Sequence, residues 1–212
     1  YFVLFECQIN VQSKKAWPNM LQLTLTLTAI IAAHATTAPP LPTNLRPIIG
    51  IVSQPMSSEP GLSYIAASYI KFIEMAGGRA VPLKFGDATT EIDTLMDGLN
   101  GVLWPGGGAD VTHTDSKYYQ FSKHIWDKAI EKNDQGVYFP QWGTCLGFEF
   151  IHVMASNDFD ILTCNFDSED LPLPLNFTEN ARTTGRLLST MSDPLYTAIR
   201  TQPLTQNEHK CG

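Results

Sequence analysis

The chain has 212 residues, with 14 Lys or Arg against 21 Asp or Glu, a formal charge of −7, 43% apolar residues and 17% charged ones. That is a globular composition: it excludes a disordered chain, and the 15 Gly and 14 Pro show no collagen-like or low-complexity period. An acidic balance without a basic run offers no electrostatic footprint for nucleic acid or for an anionic membrane surface, so neither is expected as a partner.

The sequence opens on Tyr1 rather than Met, which reads as a fragment or a misplaced first exon. From Met20, the stretch Leu21 to Ala33 is mostly apolar residues and Thr, and it ends in Ala33-His34-Ala35, the small-x-small pattern that signal peptidase cuts. A membrane span needs about 20 apolar residues, more than this stretch supplies. Residues 1–35 are therefore expected to be an upstream segment plus a secretory signal, residues 36–45 a Pro-rich leader with Pro39, Pro40 and Pro42, and residues 46–212 the folded domain.

A secretory route permits disulfides, and three cysteines remain once Cys7 is removed: Cys145, Cys164 and Cys211. Three cannot all pair, and their spacing fits neither a zinc site nor a C-x-x-C redox pair, so at least one is a free thiol. Asn176-Phe177-Thr178 is the only N-x-S/T sequon, which puts Asn176 in a surface loop as a glycosylation acceptor.

From Arg46 onward, apolar runs of strand length alternate with amphipathic stretches. Pro47 to Val52 reads as a strand, followed by a helix with Ile65, Tyr69, Phe72, Ile73 and Ala76 on one face before Gly77-Gly78 stops it. A second strand is expected over Ala80 to Phe85. The next helix carries Ile92, Leu95, Met96 and Leu99, and Gly101 to Trp104 forms a third strand ended by Pro105-Gly106-Gly107-Gly108. Between Lys117 and Lys132, the positions Tyr118, Phe121, Ile125, Trp126, Ala129 and Ile130 make one stripe, and Val137 to Trp142 reads as a fourth strand. Such alternation implies β-α-β units, hence an α/β fold with a three-layer α/β/α arrangement around a mostly parallel central sheet. Beyond Ile161, Pro172, Pro174, Pro194 and Pro203 break the pattern into short strands and loops.

Ligands of open α/β sheets bind at the carboxyl ends of the strands. Two segments there carry chemistry. Gly143-Thr144-Cys145-Leu146-Gly147-Phe148-Glu149 follows the fourth strand and opens a helix: small residues flank a nucleophile at a strand-to-helix elbow, and the helix N-terminus favours its thiolate. The glycine run after the third strand can turn N–H groups toward a ligand and, with the Leu146 N–H, form a two-donor oxyanion hole. No G-K-S/T follows it, which disfavours a phosphate loop.

Arg46-Pro47-Ile48-Ile49-Gly50-Ile51, Tyr64 to Tyr69, Leu103 to Gly107, Tyr138 to Glu149 and Pro174 to Thr178 together resemble the class I glutamine amidotransferase-like superfamily, and within it the gamma-glutamyl hydrolase family. The amidotransferases usually carry Gln where this chain has Glu149, so G-T-C-L-G-F-E is the specific part. The resemblance implies a flavodoxin-like fold and hydrolysis of folylpoly-gamma-glutamates, a small-molecule substrate, without metal or cofactor. It implies a location in lysosomes, vacuoles or outside the cell. A homodimer is left open as the assembly. It makes Cys145 the nucleophile of a thioester, Gly107 and Leu146 the oxyanion donors, and Glu149 and His209 the substrate-binding residues. His113 and His124 stand in polar context, and His152 reads as helix filling.

In the family, the general base is a His in a W-H-P-E segment some tens of residues beyond the position matching Gly212, and no such segment occurs in these 212 residues. The domain is therefore expected to be incomplete at its C-terminus and its hydrolysis crippled, with His209 the only candidate substitute. A dead poly-gamma-glutamate-binding module and another cysteine hydrolase or amidotransferase of the superfamily stay open as alternatives.

Overall fold

The computed structural model describes residues 45–212. The expected signal segment, the leader up to Asn44 and Cys7 lie outside the described residues. In chain order, the elements are β1 (Ile48–Val52), β2 (Gln54–Pro55), β3 (Ser63–Tyr64), α1 (Ala67–Met75), β4 (Arg79–Leu83), α2 (Thr89–Gly98), β5 (Gly101–Trp104), α3 (Lys117–Asp134), β6 (Gln141–Gly143), α4 (Leu146–Ser156), a 3-10 turn (Phe159–Ile161), β7 (Ser168–Leu173), α5 (Ala181–Thr184), α6 (Arg186–Ser189), α7 (Asp193–Thr201) and β8 (Thr205–His209).

Four strands form a parallel sheet in the order β4-β1-β5-β6, flanked by helices, and so the mostly parallel α/β sheet expected from the apolar runs is present. The strand order turns around between β1 and β5, which makes their carboxyl ends the topological switch point where ligands of such sheets bind. Pro82 is tolerated because β4 is an edge strand, where one row of N–H groups has no ladder partner.

Burial explains the register. Ile51, Val52, Leu83, Ile92, Val102, Leu103, Trp104 and Ile125 are at most 2% exposed, each worth about 1.5–3 kcal/mol of apolar transfer. Phe150 of α4 ties the layers together, with its ring 4.6 Å from Trp104 of β5 and 6.3 Å, edge-on, from Trp126 of α3. On α3, Ser116 caps the first turn by accepting the Tyr119 N–H, and Tyr118, Ile125, Trp126 and Ala129 are buried as the stripe implies.

Several boundaries depart from expectation. Residues Val137 to Pro140 are not strand: Asn133, near the end of α3, exchanges hydrogen bonds with the Phe139 backbone (3.1 and 2.8 Å) and the Val137 N–H returns to Lys132, so β6 begins only at Gln141. β4 stops at Leu83 because the chain turns at Lys84 to Asp87, and the Phe85 N–H donates to Ser53 Oγ. Helix α1 starts after Ile65, at Ala67, leaves Ala76 exposed, and buries no residue fully. The proline-broken tail contains a nine-residue helix, α7, in which Pro194 sits in the first turn, where its missing N–H costs nothing.

Candidate active site

The carboxyl edge of the sheet gathers three strand ends: Ser53-Gln54 after β1, Pro105-Gly106-Gly107 after β5, and Thr144-Cys145 after β6. Cys145 has φ 56° and ψ −122°, a conformation that L residues rarely adopt and that costs about 1–3 kcal/mol. Three contacts hold it there. The Thr144 N–H donates to the Trp104 carbonyl at 3.0 Å, and the Phe148 and Glu149 N–H groups both donate to the Cys145 carbonyl. The flanking glycines are required by space: a side chain on Gly143 would stand 2.6 Å from the Gly147 carbonyl oxygen, and one on Gly147 would run into the Trp104 carbonyl. The strained elbow read from residue types is thus present, with Cys145 half-buried at its tip and leading directly into α4.

Cys145 is the only free thiol among the described residues, since Cys164 and Cys211 are joined by a disulfide. That resolves which cysteine is left unpaired. It also fixes the C-terminal ribbon. β7 and β8 run antiparallel with Ser168 opposite His209, Thr163 and Gly212 exchange backbone hydrogen bonds of 3.0 Å, and the Ser168 hydroxyl donates to the His209 carbonyl. These ties set the His209 ring against the elbow, with Nε2 3.1 Å from Cys145 Sγ. The resemblance suggests a substrate-contacting histidine, whereas the geometry gives a direct thiol–imidazole contact.

Glu149 lies on the first turn of α4, half-buried, and its carboxyl is pushed above the usual carboxylate range by burial, with the nearby His209 pulling it back down. Leu146 is buried and, among the described residues, its N–H at the start of α4 has no acceptor, as expected for the first N–H groups of a helix. Gly107 is exposed. Asn176 is exposed in the loop between β7 and α5, as the sequon implies.

Two side chains at this edge carry no sequence signal that singled them out as site residues. Tyr69 of α1 accepts the Gly106 N–H at 2.8 Å, and its phenol is raised above the ordinary value, chiefly by burial, so it stays a neutral O–H. Gln54, 2% exposed, donates from Nε2 to the carbonyls of Pro105 (3.2 Å) and Gly106 (3.0 Å). Its place immediately after β1, at the switch point, is the signal that could have found it.

The other histidines among the described residues serve elsewhere. His113 pairs with Asp110, His124 with Asp93, and His152 bonds the Phe148 carbonyl within α4. Among the described residues, no group of three or more His, Cys, Asp or Glu is placed to hold a metal ion.

A parallel α/β sheet presenting a strained cysteine at a strand-to-helix elbow, with an imidazole on its sulfur, defines a cysteine-centred α/β protein. The chain belongs to the Peptidase C26 family, whose model matches residues 47–157. It is similar to the gamma-glutamyl hydrolase of Rattus norvegicus (44% identical over 168 residues, 78% of this chain and 51% of the relative). Similarity extends to the gamma-glutamyl hydrolase of Homo sapiens, at 37% identity over 78% of this chain and 52% of the relative. It reaches gamma-glutamyl hydrolase 1 of Arabidopsis thaliana, at 36% identity over 80% of this chain and 49% of that protein. The chain spans about half the length of the curated relatives it matches.

Proposed function

We propose that this chain hydrolyses gamma-glutamyl bonds of folylpoly-gamma-glutamates through a thioester on Cys145. The observation that carries the reading is the 3.1 Å contact between His209 Nε2 and Cys145 Sγ on the strained elbow. The names of the relatives supply the substrate class. His209 takes the thiol proton as sulfur attacks the gamma-carbonyl carbon. The C–N bond then breaks as that proton passes to the amine of the departing glutamate, and water cleaves the thioester to free the shortened folyl chain. An imidazole is suited to both transfers because its ordinary pKa lies near neutrality, and such acid–base help is worth about 10²–10⁴ in rate. The Leu146 and Gly107 N–H groups take the oxyanion, and Glu149 orders the substrate beside His209.

A second reading rests on the sequence. W-H-P-E has no counterpart in these 212 residues. If His209 does not replace that imidazole, the chain binds substrate and barely cleaves it. Four proteins separate the readings: this chain and this chain extended by a segment carrying W-H-P-E, each with and without Cys145→Ala. Glutamate release by the first, abolished by Cys145→Ala in the same chain, supports His209. Release by the extended chain alone supports the second reading, and inertness of both while folded rejects the hydrolase assignment. The same reading sends the protein through the secretory route to the cell exterior, lysosome or vacuole. Expression from Met20 in a secretory host should then give a product starting near Thr36 that loses mass on endoglycosidase treatment at Asn176.

A further inference from the structure

We propose that Gln54 is the positioning residue of the oxyanion site: by holding two successive carbonyls of the glycine loop, it aims the Gly107 N–H at the carbon that Cys145 attacks. The inference rests on the thioester reading above and adds a residue to it.

No described peptide bond is cis, so in every peptide of this loop the C=O and the following N–H point in opposite directions. The Pro105 carbonyl faces Gln54 Nε2 at 3.2 Å, and the N–H of the same peptide, on Gly106, faces the other way, onto Tyr69 Oη at 2.8 Å. The Gly106 carbonyl also faces Gln54 Nε2, at 3.0 Å. Its peptide partner, the Gly107 N–H, is therefore turned away from Gln54 as well, toward the side where Tyr69 lies. That side is also the nucleophile's: the point a Gly106 side chain would occupy is 2.7 Å from Tyr69 Oη and 3.3 Å from Cys145 Sγ. Two successive N–H groups on one side form an anion-binding concavity. Tyr69 occupies the first, leaving that of Gly107 for the substrate oxygen.

Gln54 also explains the glycine. Gly107 does not have a positive φ, yet a side chain there would overlap the Gln54 amide. A flipped Gly106–Gly107 peptide would present a carbonyl to the oxyanion and leave a buried Nε2 without one of its two acceptors. Gln54 thereby selects one orientation of a segment that glycines alone leave free.

The test separates tetrahedral-adduct stabilisation from thiol reactivity. Gln54→Met keeps the volume and removes both donors. It should lower kcat for glutamate release by about 10²-fold or more, as loss of an oxyanion donor does, with KM little changed. Affinity for 5-oxopentanoate should fall in parallel: Cys145 adds to this aldehyde as a thiohemiacetal, with the S–C bond formed and the thiol proton ending on oxygen. Alkylation of Cys145 by iodoacetamide, which develops no oxyanion, should be unchanged. In Gln54→Glu, aldehyde affinity relative to the unmodified chain should recover on acidification, when the protonated carboxyl again donates to a carbonyl. Unchanged kcat and aldehyde affinity in Gln54→Met, an equal fall in alkylation, or a pH-independent ratio in Gln54→Glu would each overturn the proposal. Should the unmodified chain release no glutamate, the reading of His209 as its base fails, and the comparison of aldehyde with iodoacetamide still decides the role of Gln54.

Discussion

Buried side chains crowd the described chain from Ile48 to Ser156, whereas beyond Asn157 only Ile199 and Thr205 are buried. The two regions are held by different means. The first is a parallel sheet with helices packed on aromatic and aliphatic side chains, and it carries Cys145 on a junction that three backbone hydrogen bonds and two close glycine approaches keep in a strained conformation. The second is a two-stranded ribbon with short helices, joined by backbone pairs and by the Cys164–Cys211 disulfide, and it delivers His209. Packing of the first kind holds the thiol fixed, while the position of the imidazole beside it depends on polar ties and a covalent link two residues away.

The sharpest contrast should come from Cys145→Ala, which removes the nucleophile and leaves the frame: turnover is expected to drop by at least about 10⁴-fold, with the thermal midpoint nearly unmoved. Phe150→Ala attacks the frame itself by opening a cavity between Trp104 and Trp126, and should cost about 3–5 kcal/mol in denaturant unfolding. The paired change Cys164→Ser with Cys211→Ser attacks the ribbon. It should cost about 2–4 kcal/mol, with faster hydrogen exchange confined to residues 163–173 and 205–212, and a fall in kcat as His209 loosens. Equal exchange in both regions would remove the distinction drawn between them.

The smallest effect concerns Glu149. Burial raises its carboxyl above the unfolded value, so its ionised form is destabilising. The favourable contribution of the protonated form is complete below the ordinary carboxylate pKa of about 4.3 and is lost as pH rises through the higher folded value. Glu149→Gln, neutral at every pH, should therefore raise the urea midpoint at pH 7 and leave it unchanged near pH 4. A gain of equal size at both values would point to packing instead.

The same division marks what the sequence made legible. In the first region β5 is buried throughout and β1 over its last three residues, and both read as apolar runs, while α2 and α3 show their stripes; β6 starts later than the apolar run implies because of Asn133, a polar clamp that periodicity does not register. In the second region, β7 is exposed along nearly its whole length, α7 buries only Ile199, and each holds a proline, so the hydrophobic pattern is weak. Pro194 reads as a breaker when it is a helix start. Cys145 was legible because glycines at −2 and +2 are a steric requirement of the elbow. His209 reached the site only by resemblance, since its place depends on a ribbon register and a disulfide. Gln54 is marked in the sequence only by its place just after β1, since one buried amide has no period, and its meaning appears when β1 and β5 are seen side by side.

In the proposed function, the imidazole brought by the ribbon works on the thiol held by the sheet. Glutamate release from a folylpoly-gamma-glutamate by this chain, measured beside His209→Ala with equal folded fractions, tests it most directly. The unmodified chain should release glutamate, and the variant should lose about 10²–10⁴-fold of that rate. Equal rates in the two proteins would contradict it.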